Sequence, residues 1–234
     1  MIAGRNVLGL VVGRGGSKGL ARKNVLPLAG KPVIAWTVAA ARASRYIDRV
    51  VVSSEDREII DAAVAAGADA PFVRPVELAS DSVQLPAVML HALQAVPGDW
   101  HYLVLLQASS PLRDGPDIDA CIERIDASGA PTCLSVSETL APPYQTFLMN
   151  GDGRLKTIID GDLVNRRRQE MPKTYQLNGA VCVVRAEWFR RHHGTYVAET
   201  VGAIIPFEHG LDIDNATDFA LAEFFAVRAA RQGS

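Results

Sequence analysis

The feature that most constrains the fold of this chain is a basic, glycine-rich loop placed directly after a short apolar run. The apolar run, Val7 to Val12, predicts a buried first strand. The loop that follows reads GRGGSKGLARKN over residues 13–24. In an α/β sheet, ligands bind at the carboxyl ends of the strands, and glycine-rich turns let backbone amides point at an anion. The loop therefore predicts a phosphate-binding site at the end of the first strand.

This loop matches neither of the two common glycine-rich fingerprints. A dinucleotide fingerprint opens a helix, whereas the segment after Gly19, LARKNVLPL, does not. A P-loop requires Ser or Thr after its Gly-Lys pair, whereas Lys31 is followed by Pro32, which cannot bind magnesium. Four cations project from the loop: Arg14, Lys18, Arg22 and Lys23. Because several bridged phosphates require several cations, the pattern favours a triphosphate or pyrophosphate over a merely solvated basic loop.

The remainder of the chain alternates short apolar runs with helical segments. Further strands are predicted at Arg49–Ser53, Pro71–Val73, Tyr102–Leu106, Ala180–Val184 and Ala203–Phe207. Helices are predicted from Pro32 to about Ser44, from a capping box at Ser53 and Asp56 to Gly67, from about Val83 to Ala95, from about Asp117 to Ala127 and from about Asn215 to Ala229. This alternation predicts the α/β class, with a mostly parallel sheet flanked by helices.

Residues 142–174 interrupt the alternation, since they are rich in Pro, Gly, Asp and Arg and weakly periodic. They predict an inserted arm that serves assembly or acts as a lid.

Length, charge and cysteine usage narrow the class of protein. A chain of 234 residues predicts one domain. The net charge of −2 argues against a general affinity for nucleic acid or anionic membranes. The apolar run at the N-terminus is too short for a signal or membrane-spanning segment. Three widely spaced cysteines, Cys121, Cys133 and Cys182, predict buried free thiols in a reducing compartment, the cytoplasm.

An acidic segment near the end of the chain, LDID, is the second informative stretch. On an extended backbone, Asp212 and Asp214 point to one side and Ile213 points into the core. Two carboxylates on one face suit Mg²⁺, although one of them could instead cap the following helix. Asp218 follows the expected cap, Asn215, by three residues and is assigned to capping.

Two further polar stretches carry weaker signals. The segment Gln107–Arg113 follows an apolar strand, so its side chains could contact a base or a sugar, or simply form a turn. The run Arg166–Arg168 lies in the arm and, taken alone, is typical of a solvated face. The histidines predict no site, and His192–His193 is expected to end a surface helix.

Several motifs together make the chain resemble the acylneuraminate cytidylyltransferases, also called CMP-sialic acid synthetases. The resemblance runs from about Val7 to Phe225 through GRGGSKGLARKN, RPVELASDS, LLQASSPLR, RRRQEMPKTYQLNGAV and LDIDNATD. PLAGKP is common to sugar nucleotidyltransferases, whereas SKGLARKN followed by NGAV and DID is specific. The related enzymes for 3-deoxy-octulosonate carry an R-L-P-x-K-P type of loop instead.

The resemblance implies a reaction of CTP with a nine-carbon sugar acid, which gives a CMP-sugar and pyrophosphate with Mg²⁺. It also implies a Rossmann-like nucleotidyltransferase fold, a single domain over residues 1–234 with a dimerisation insertion at about 140–178, and a homodimer. Within such a dimer, Arg168 would act across the interface.

The resemblance also implies a role for each matching residue. The nucleotide contacts would be Arg14, Gly15, Ser17, Lys18, Lys23, Asn24 and Ser82. The sugar-acid contacts would be Gln107, Ser109, Arg168, Gln169, Tyr175 and Asn178. The metal ligands would be Asp212 and Asp214. The catalytic residues would be Arg14, Lys18, Lys23 and Asp214.

Two departures from the family pattern concern the substrate rather than the reaction class. Gly13 replaces the usual alanine and is expected only to loosen the turn, and QASSPLR replaces QPTSPLR next to the sugar pocket. One alternative is another nucleotidyltransferase, acting on 3-deoxy-octulosonate or on a sugar or polyol phosphate held by Arg166–Arg168. The other is a non-catalytic nucleotide-binding domain, which would require loss of the cations or of the Asp pair, and both are present.

Overall fold

The computed structural model describes residues 1–159 and 161–232. The predicted span of 1–234 therefore includes three residues, Asp160, Gly233 and Ser234, that lie outside the described part. The strands are β1 Asn6–Val12, β2 Pro27–Leu28, β3 Lys31–Pro32, β4 Arg49–Ser53, β5 Trp100–Gln107, β6 Thr132–Glu138, β7 Phe147–Met149, β8 Leu155–Thr157, β9 Tyr175–Arg185 and β10 Val201–Ile204. The helices are α1 Val33–Ala43, α2 Arg57–Ala65, α3 Leu85–Ala95, α4 Gly115–Ser128, α5 Ala186–His192 and α6 Ala216–Gln232.

Six of these strands form one sheet in the order β10-β6-β9-β5-β1-β4. Strand β1 pairs in parallel with β4 and β5, and β6 pairs in parallel with β10. Strand β9 runs antiparallel between β5 and β6. The mostly parallel α/β sheet expected from the sequence is thus confirmed.

Both faces of the sheet are covered by helices, because its central strands are apolar on both sides. On β1, Val7 and Val11 belong to a core that includes residues of α1, α2 and α4. Leu8 and Leu10 face the other side, in a core that includes residues of α3 and α5. Burial on both faces explains why β1 reads as a continuous apolar run rather than as an alternating one.

The ends of the parallel strands bring the polar segments together. Val12 is in register with Ser53 of β4 and with Gln107 of β5. The basic loop, the segment after β4 and the segment after β5 therefore leave the sheet at one edge. This edge is where a ligand of an α/β sheet binds.

Two local predictions are wrong, and one strand was not predicted. Pro71–Val73 forms no strand, since the sheet contact there is a bridge between Val51 and Asp69 that ends before the proline. Helix α2 is capped by Asp56, which accepts hydrogen bonds from the amides of Glu58 and Ile59, and not by Ser53. Strand β6 was not predicted, because the buried positions along it include serine hydroxyls as well as apolar side chains.

The arm leaves and rejoins the sheet at one point. The Thr139 amide donates to the Thr174 carbonyl, and the two threonine hydroxyls are 2.6 Å apart. Between them, β7 and β8 form a small antiparallel hairpin of their own. Its apolar side chains are exposed, including Leu148, Met149 and Leu155. The segment is thus an excursion from the main sheet, and its role in assembly stays a prediction.

Candidate active site

A cleft of about 230 Å³ opens at the carboxyl edge of the sheet, next to the basic loop. Predicted site residues from three separate parts of the sequence line it: Arg14, Lys23, Asn24, Gln107, Ser109, Asp212 and Asp214. The cleft also contains Arg74, which was not predicted. The fold therefore brings two of the predicted phosphate-binding cations and both predicted metal ligands into one place, whereas Lys18 is not part of this lining.

Lys23 joins the basic loop to the acidic segment. Its Nζ donates to the Ile213 carbonyl oxygen at 2.6 Å and to Asp214 Oδ1 at 3.0 Å. The side chain of Lys23 is only 16% exposed, whereas that of Asp214 is 74% exposed. Lys23 is thus held in the cleft wall, and the carboxylate of Asp214 stays accessible to a ligand.

The loop backbone also touches the acidic segment directly at Gly19. A Cβ on Gly19 would collide with the Asp214 carbonyl oxygen. Gly19 is therefore needed for close approach of two backbones.

The acidic segment shows the predicted alternation, with Ile213 buried between the more exposed Asp212 and Asp214. Ile213 is fully buried, and its amide donates to the Ser109 carbonyl oxygen at 2.7 Å. Asp212 Oδ1 accepts from the Ser110 hydroxyl at 3.3 Å. Both carboxylates line the cleft, so the chemistry of the donor set fits Mg²⁺.

Capping of α6 uses other side chains, as predicted. Asn215 Oδ1 accepts from the amides of Thr217 and Asp218, and Asp218 Oδ2 accepts from the amides of Asp214 and Asn215. These bonds satisfy the start of the helix without either carboxylate of the Asp212–Asp214 pair. The alternative in which one of that pair caps the helix is therefore wrong.

The cations of the loop are paired with carboxylates. Arg14 Nη1 lies 2.7 Å from Asp81 Oδ1, and Lys18 Nζ lies 2.5 Å from Asp81 Oδ2. The hydrogen bond from Lys18 holds the pKa of Asp81 below its usual value, and Arg14 adds to this effect. Arg22 pairs with Asp56 and Glu58 at the start of α2. Arg22 therefore tethers the loop rather than facing the cleft.

A buried ion pair that the sequence did not predict holds the backbone of the basic loop through hydrogen bonds to Gly13 and Gly15. Arg74, whose side chain is 4% exposed, donates to the Gly13 carbonyl oxygen at 2.8 Å and to Glu55 Oε2 at 2.6 Å. Glu55 Oε1 accepts from the Gly15 amide at 2.8 Å. Burial alone would raise the pKa of Glu55, but the hydrogen bonds from Arg74 and Gly15 outweigh it and lower the pKa. Glu55 could have been found from its place just after β4.

Asn24 supports the turn of the loop. It is buried, and its Nδ2 donates to the Arg14 carbonyl oxygen at 2.9 Å, whereas its Oδ1 has no partner among the described residues. A methyl group on Gly13 would lie 3.3 Å from Asn24 Nδ2 and 3.2 Å from Ile59. Close packing around Gly13 contradicts the expectation that glycine merely loosens the turn here.

Two other predicted nucleotide contacts lie beside the cleft rather than in its lining. The hydroxyl of Ser17 is buried without a hydrogen-bond partner among the described residues. The hydroxyl of Ser82 lies 3.1 Å from that of Ser80, next to Asp81. Their roles in nucleotide binding stay predictions.

A second, mostly apolar recess of about 450 Å³ adjoins the cleft. The two share Leu85 and Gln107, and Gln107 Nε2 donates to the Gly179 carbonyl oxygen at 3.2 Å. The walls of the recess include Leu177 and Tyr196. Gln107 therefore stands at the junction between the charged cleft and the apolar recess.

The amide of Asn178 is engaged inside the sheet. Its Oδ1 accepts from the Ser135 hydroxyl at 2.6 Å, and its Nδ2 donates to the Ser137 hydroxyl at 2.9 Å. Gly179 follows with a φ of 72°, which favours glycine. In this structure the Asn-Gly pair shapes β9 beside the recess, and the predicted contact of Asn178 with a substrate stays a prediction.

The structure places the predicted arm residues away from the cleft. Arg168 donates to the Thr139 carbonyl oxygen at 3.4 Å and lines a separate cleft of about 490 Å³ with Ile204 and Phe207. Gln169 and Tyr175 are exposed. One copy of the chain therefore does not bring Arg168 to Asp212.

A charged network that the sequence did not reveal lies behind the acidic segment. His209 Nδ1 lies 2.7 Å from Asp117 Oδ2, and this hydrogen bond raises the pKa of His209. Arg113 is buried, which lowers its pKa to about 9, and its Nη2 donates to the Gln107 carbonyl oxygen. Asp114 and Asp117 cap α4 reciprocally. A guanidinium and an imidazole therefore lie among two carboxylates beside the segment that carries Asp212.

Within the described ranges, one group of three side chains lies close enough to share a metal ion: Asp114, Asp117 and His209. It differs from the predicted pair. Asp114 and Asp117 already accept hydrogen bonds from each other's amides, and Arg113 interacts electrostatically with Asp117, so these carboxylates have protein partners.

Comparison with known families decides the class of this protein. Residues 8–208 match the sequence model of the family described as Cytidylyltransferase. The chain belongs to the cytidylyltransferase family. This cytidylyltransferase is 31% identical over 222 residues to a CMP-N,N'-diacetyllegionaminic acid synthase of Legionella pneumophila, a match that covers 93% of the chain and 94% of the relative. It is 27% identical over 217 residues to a pseudaminic acid cytidylyltransferase of Campylobacter jejuni, with 92% and 93% covered.

A solved structure shows the same fold. The structure of a CMP:2-keto-3-deoxy-manno-octonic acid synthetase complexed with CTP superposes with a TM-score of 0.74 at 14% sequence identity. The match covers 96% of this chain and 99% of that one. The cytidylyltransferase is thus a nucleotidyltransferase with the α/β fold predicted from its sequence. Among its described residues, no helix is both long and apolar enough to cross a membrane.

Proposed function

We propose that this cytidylyltransferase transfers CMP from CTP to a nonulosonic, sialic-type acid and releases pyrophosphate. The observation that carries the proposal is the meeting of Arg14, Lys23 and the Asp212–Asp214 pair in one cleft beside an uncharged recess. Cations suit the triphosphate, and the carboxylates suit Mg²⁺. Relatives named for legionaminic and pseudaminic acid support a substrate of this class.

The reaction follows from positioning and charge neutralisation. The anomeric hydroxyl of the sugar acid attacks the α-phosphorus, the new phosphorus–oxygen bond forms, and the bond to the pyrophosphate oxygen breaks in line. When bound by Asp212 and Asp214, Mg²⁺ supplies charge that polarises the α-phosphate and lowers the pKa of a hydroxyl that it binds.

The chain's own side chains then divide the remaining work. Arg14 and Lys18 neutralise charge that builds on the departing pyrophosphate. Lys23, held by the Ile213 carbonyl, keeps Asp214 in the cleft wall. The proton of the attacking hydroxyl is accepted by Asp214, the accessible carboxylate of the pair.

The recess supports a sugar acid over a sugar phosphate. Its described lining includes Leu134, Val136, Leu177 and Tyr196 and contains no charged side chain. A sugar or polyol phosphate would need cations there, whereas acyl groups and a carbon chain are suited to apolar walls. The triple-arginine run lies elsewhere, in the arm, and does not supply them.

A homodimer would place the arm's residues at a partner's cleft. The hairpin exposes Leu148, Met149 and Leu155, and an apolar patch of this kind is suited to burial against a second copy. Since Arg168 does not reach Asp212 within one chain, we propose that it binds the substrate carboxylate of the partner's site as a planar fork. The cytoplasm stays the expected compartment, in keeping with three buried free thiols.

Complementation tests this arrangement. Arg168→Ala and Asp212→Asn chains are each expected to be inactive. After refolding as a mixture, about half of the dimers are mixed and each has one intact site, so about a quarter of wild-type activity returns if the site is shared between chains. No recovery, although mixed dimers are detected by mass spectrometry, would show that Arg168 does not act on the partner's site.

The activity itself is tested by pyrophosphate release. Wild type and Asp212→Asn are assayed with Mg²⁺, with CTP or GTP, and with N-acetylneuraminate, legionaminate, pseudaminate or 3-deoxy-octulosonate. We expect turnover with CTP and at least one nine-carbon acid, and a large loss in the variant. Folded protein that is silent with all nine-carbon acids, or that prefers 3-deoxy-octulosonate, would overturn the proposal.

A further inference from the structure

One carboxylate occupies the position between two cations that the proposed nucleotide needs. Asp81 contacts Arg14 Nη1 at 2.7 Å through Oδ1 and Lys18 Nζ at 2.5 Å through Oδ2. Two oxygens joined to one carbon thus bridge two separate cations, as two oxygens of a diphosphate would. Asp81 has no part in the proposed reaction.

The contacts of Asp81 with Arg14 and Lys18 are exposed and can be displaced by a ligand. The carboxylate of Asp81 is 46% exposed, and Lys18 is 78% exposed. Exposed ion pairs of this kind are weak, because water and salt screen them. A triphosphate brings more negative charge to the same two cations and would displace the carboxylate.

The segment that carries Asp81 is fixed at both ends and open in the middle. Before it, Arg74 is buried and bonded to Gly13 and Glu55. After it, α3 begins at Leu85, which lines the cleft. Between these anchors, the Ser80 and Ser82 hydroxyls bond each other on either side of Asp81. The segment can therefore release Arg14 and Lys18 without disturbing the sheet.

We propose that Asp81 is a displaceable internal anion that competes with the pyrophosphate part of the nucleotide and replaces the pyrophosphate product as it leaves. This inference rests on the proposed function, since it takes Arg14 and Lys18 as ligands of the triphosphate. It makes Asp81 a determinant of phosphate-chain length. A triphosphate or pyrophosphate must displace Asp81, whereas a monophosphate, CMP, does not reach both of its cations.

Calorimetric titration with inorganic pyrophosphate, and separately with CMP, tests the proposal. Wild type is compared with Asp81→Asn, which keeps the shape but removes the charge, and with Asp81→Glu, which restores the charge. Glu77→Gln is the matched control, since Glu77 carries the same charge in the same segment. Circular dichroism establishes that each variant is folded.

Because two exposed ion pairs are lost, we expect Asp81→Asn to bind pyrophosphate about threefold to thirtyfold more tightly, with CMP affinity unchanged within about twofold. Asp81→Glu and Glu77→Gln should bind pyrophosphate like wild type. In turnover with CTP, Asp81→Asn should show inhibition by pyrophosphate at correspondingly lower concentrations.

Four results would overturn the proposal. Asp81→Asn could bind pyrophosphate no more tightly than wild type, Glu77→Gln could give the same gain, or CMP affinity could rise in parallel. Failure of both wild type and Asp81→Asn to bind pyrophosphate would also overturn it. Failure of the proposed function is distinct: the wild type would then bind pyrophosphate but release none from CTP with any sugar acid.

Discussion

Substitution of Gly19 by alanine tests whether the basic loop must rest on the acidic segment for activity. The added Cβ would run into the Asp214 carbonyl oxygen, which is a backbone atom and cannot rotate away. Overpacking of this kind costs about 1–3 kcal/mol. The loop and the segment must therefore separate, and that separation also strains the contacts of Lys23 with Ile213 and Asp214.

The size of the effect follows from that cost. If the cost of about 1–3 kcal/mol is borne by the contact between the basic loop and the acidic segment, the transition state is destabilised by that amount. The kcat/KM for CTP then falls by about fivefold to 150-fold. Pyrophosphate release measures this loss, and thermal unfolding by circular dichroism reports how much of the strain is relieved by loosening the fold. Gly16→Ala is the matched control in the same loop, because a Cβ there meets nothing within 4 Å.

We expect Gly16→Ala to retain activity within about threefold and to melt like wild type, since open space carries no overpacking cost. The reasoning fails if Gly19→Ala is as active and as stable as wild type. It also fails if the two alanine variants lose activity equally, because the loss would then come from any methyl group in the loop rather than from contact with Asp214.

Three further predictions concern single side chains. Lys18→Ala should lower kcat by at least about tenfold with an unchanged circular dichroism spectrum, and near-normal turnover would reject its role on the pyrophosphate. Glu55→Ala leaves the Arg74 charge buried and should lower the free energy of unfolding in urea by about 3 kcal/mol; a loss below about 1 kcal/mol would show that Arg74 finds another partner. His209→Gln should lower the free energy of unfolding most at low pH. Asp117 raises the pKa of His209 above its ordinary 6.5, so the His209–Asp117 pair contributes fully to stability below pH 6.5. This contribution is lost as the pH rises through the pKa that His209 has in the folded protein. Urea unfolding at pH 6 and pH 9 measures the free energy of unfolding of both proteins. An equal difference between His209→Gln and wild type at the two pH values would contradict the prediction.

The sequence predicts most of the fold because the buried strands are uniformly apolar. The runs in β1, β4 and β5 are recognisable without their partners, and their common edge follows from parallel pairing. Strand β6 escapes this reasoning. Its buried Ser135 and Ser137 bond to Asn178, so the polarity that resembles a loop is satisfied only by a partner strand distant in sequence.

The residues of the candidate site likewise fall into those that the sequence predicts and those that it does not. Residues that directly follow strands, such as Gln107 and the loop after β1, are predictable from position alone. Arg74, Asp81 and His209 act through contacts with residues far along the chain, and neither their residue type nor their local spacing predicts those contacts. Arg168 is a third case, since the partner that its predicted role requires lies outside a single chain.

The recess and the charged cleft meet at Leu85 and Gln107, but the rest of their linings comes from different segments of the chain. The groups proposed to bind phosphate come from the loop after β1 and from the segment before α6, whereas Leu177 and Tyr196 belong to β9 and to the loop before β10. Replacing these two side chains alters the shape of the recess while Lys23 and Asp214 keep their contact. If the recess binds the sugar acid as proposed, a few substitutions on its side of Gln107 can change the substrate. The residues of the charged cleft, which are proposed to carry out the reaction, need not change.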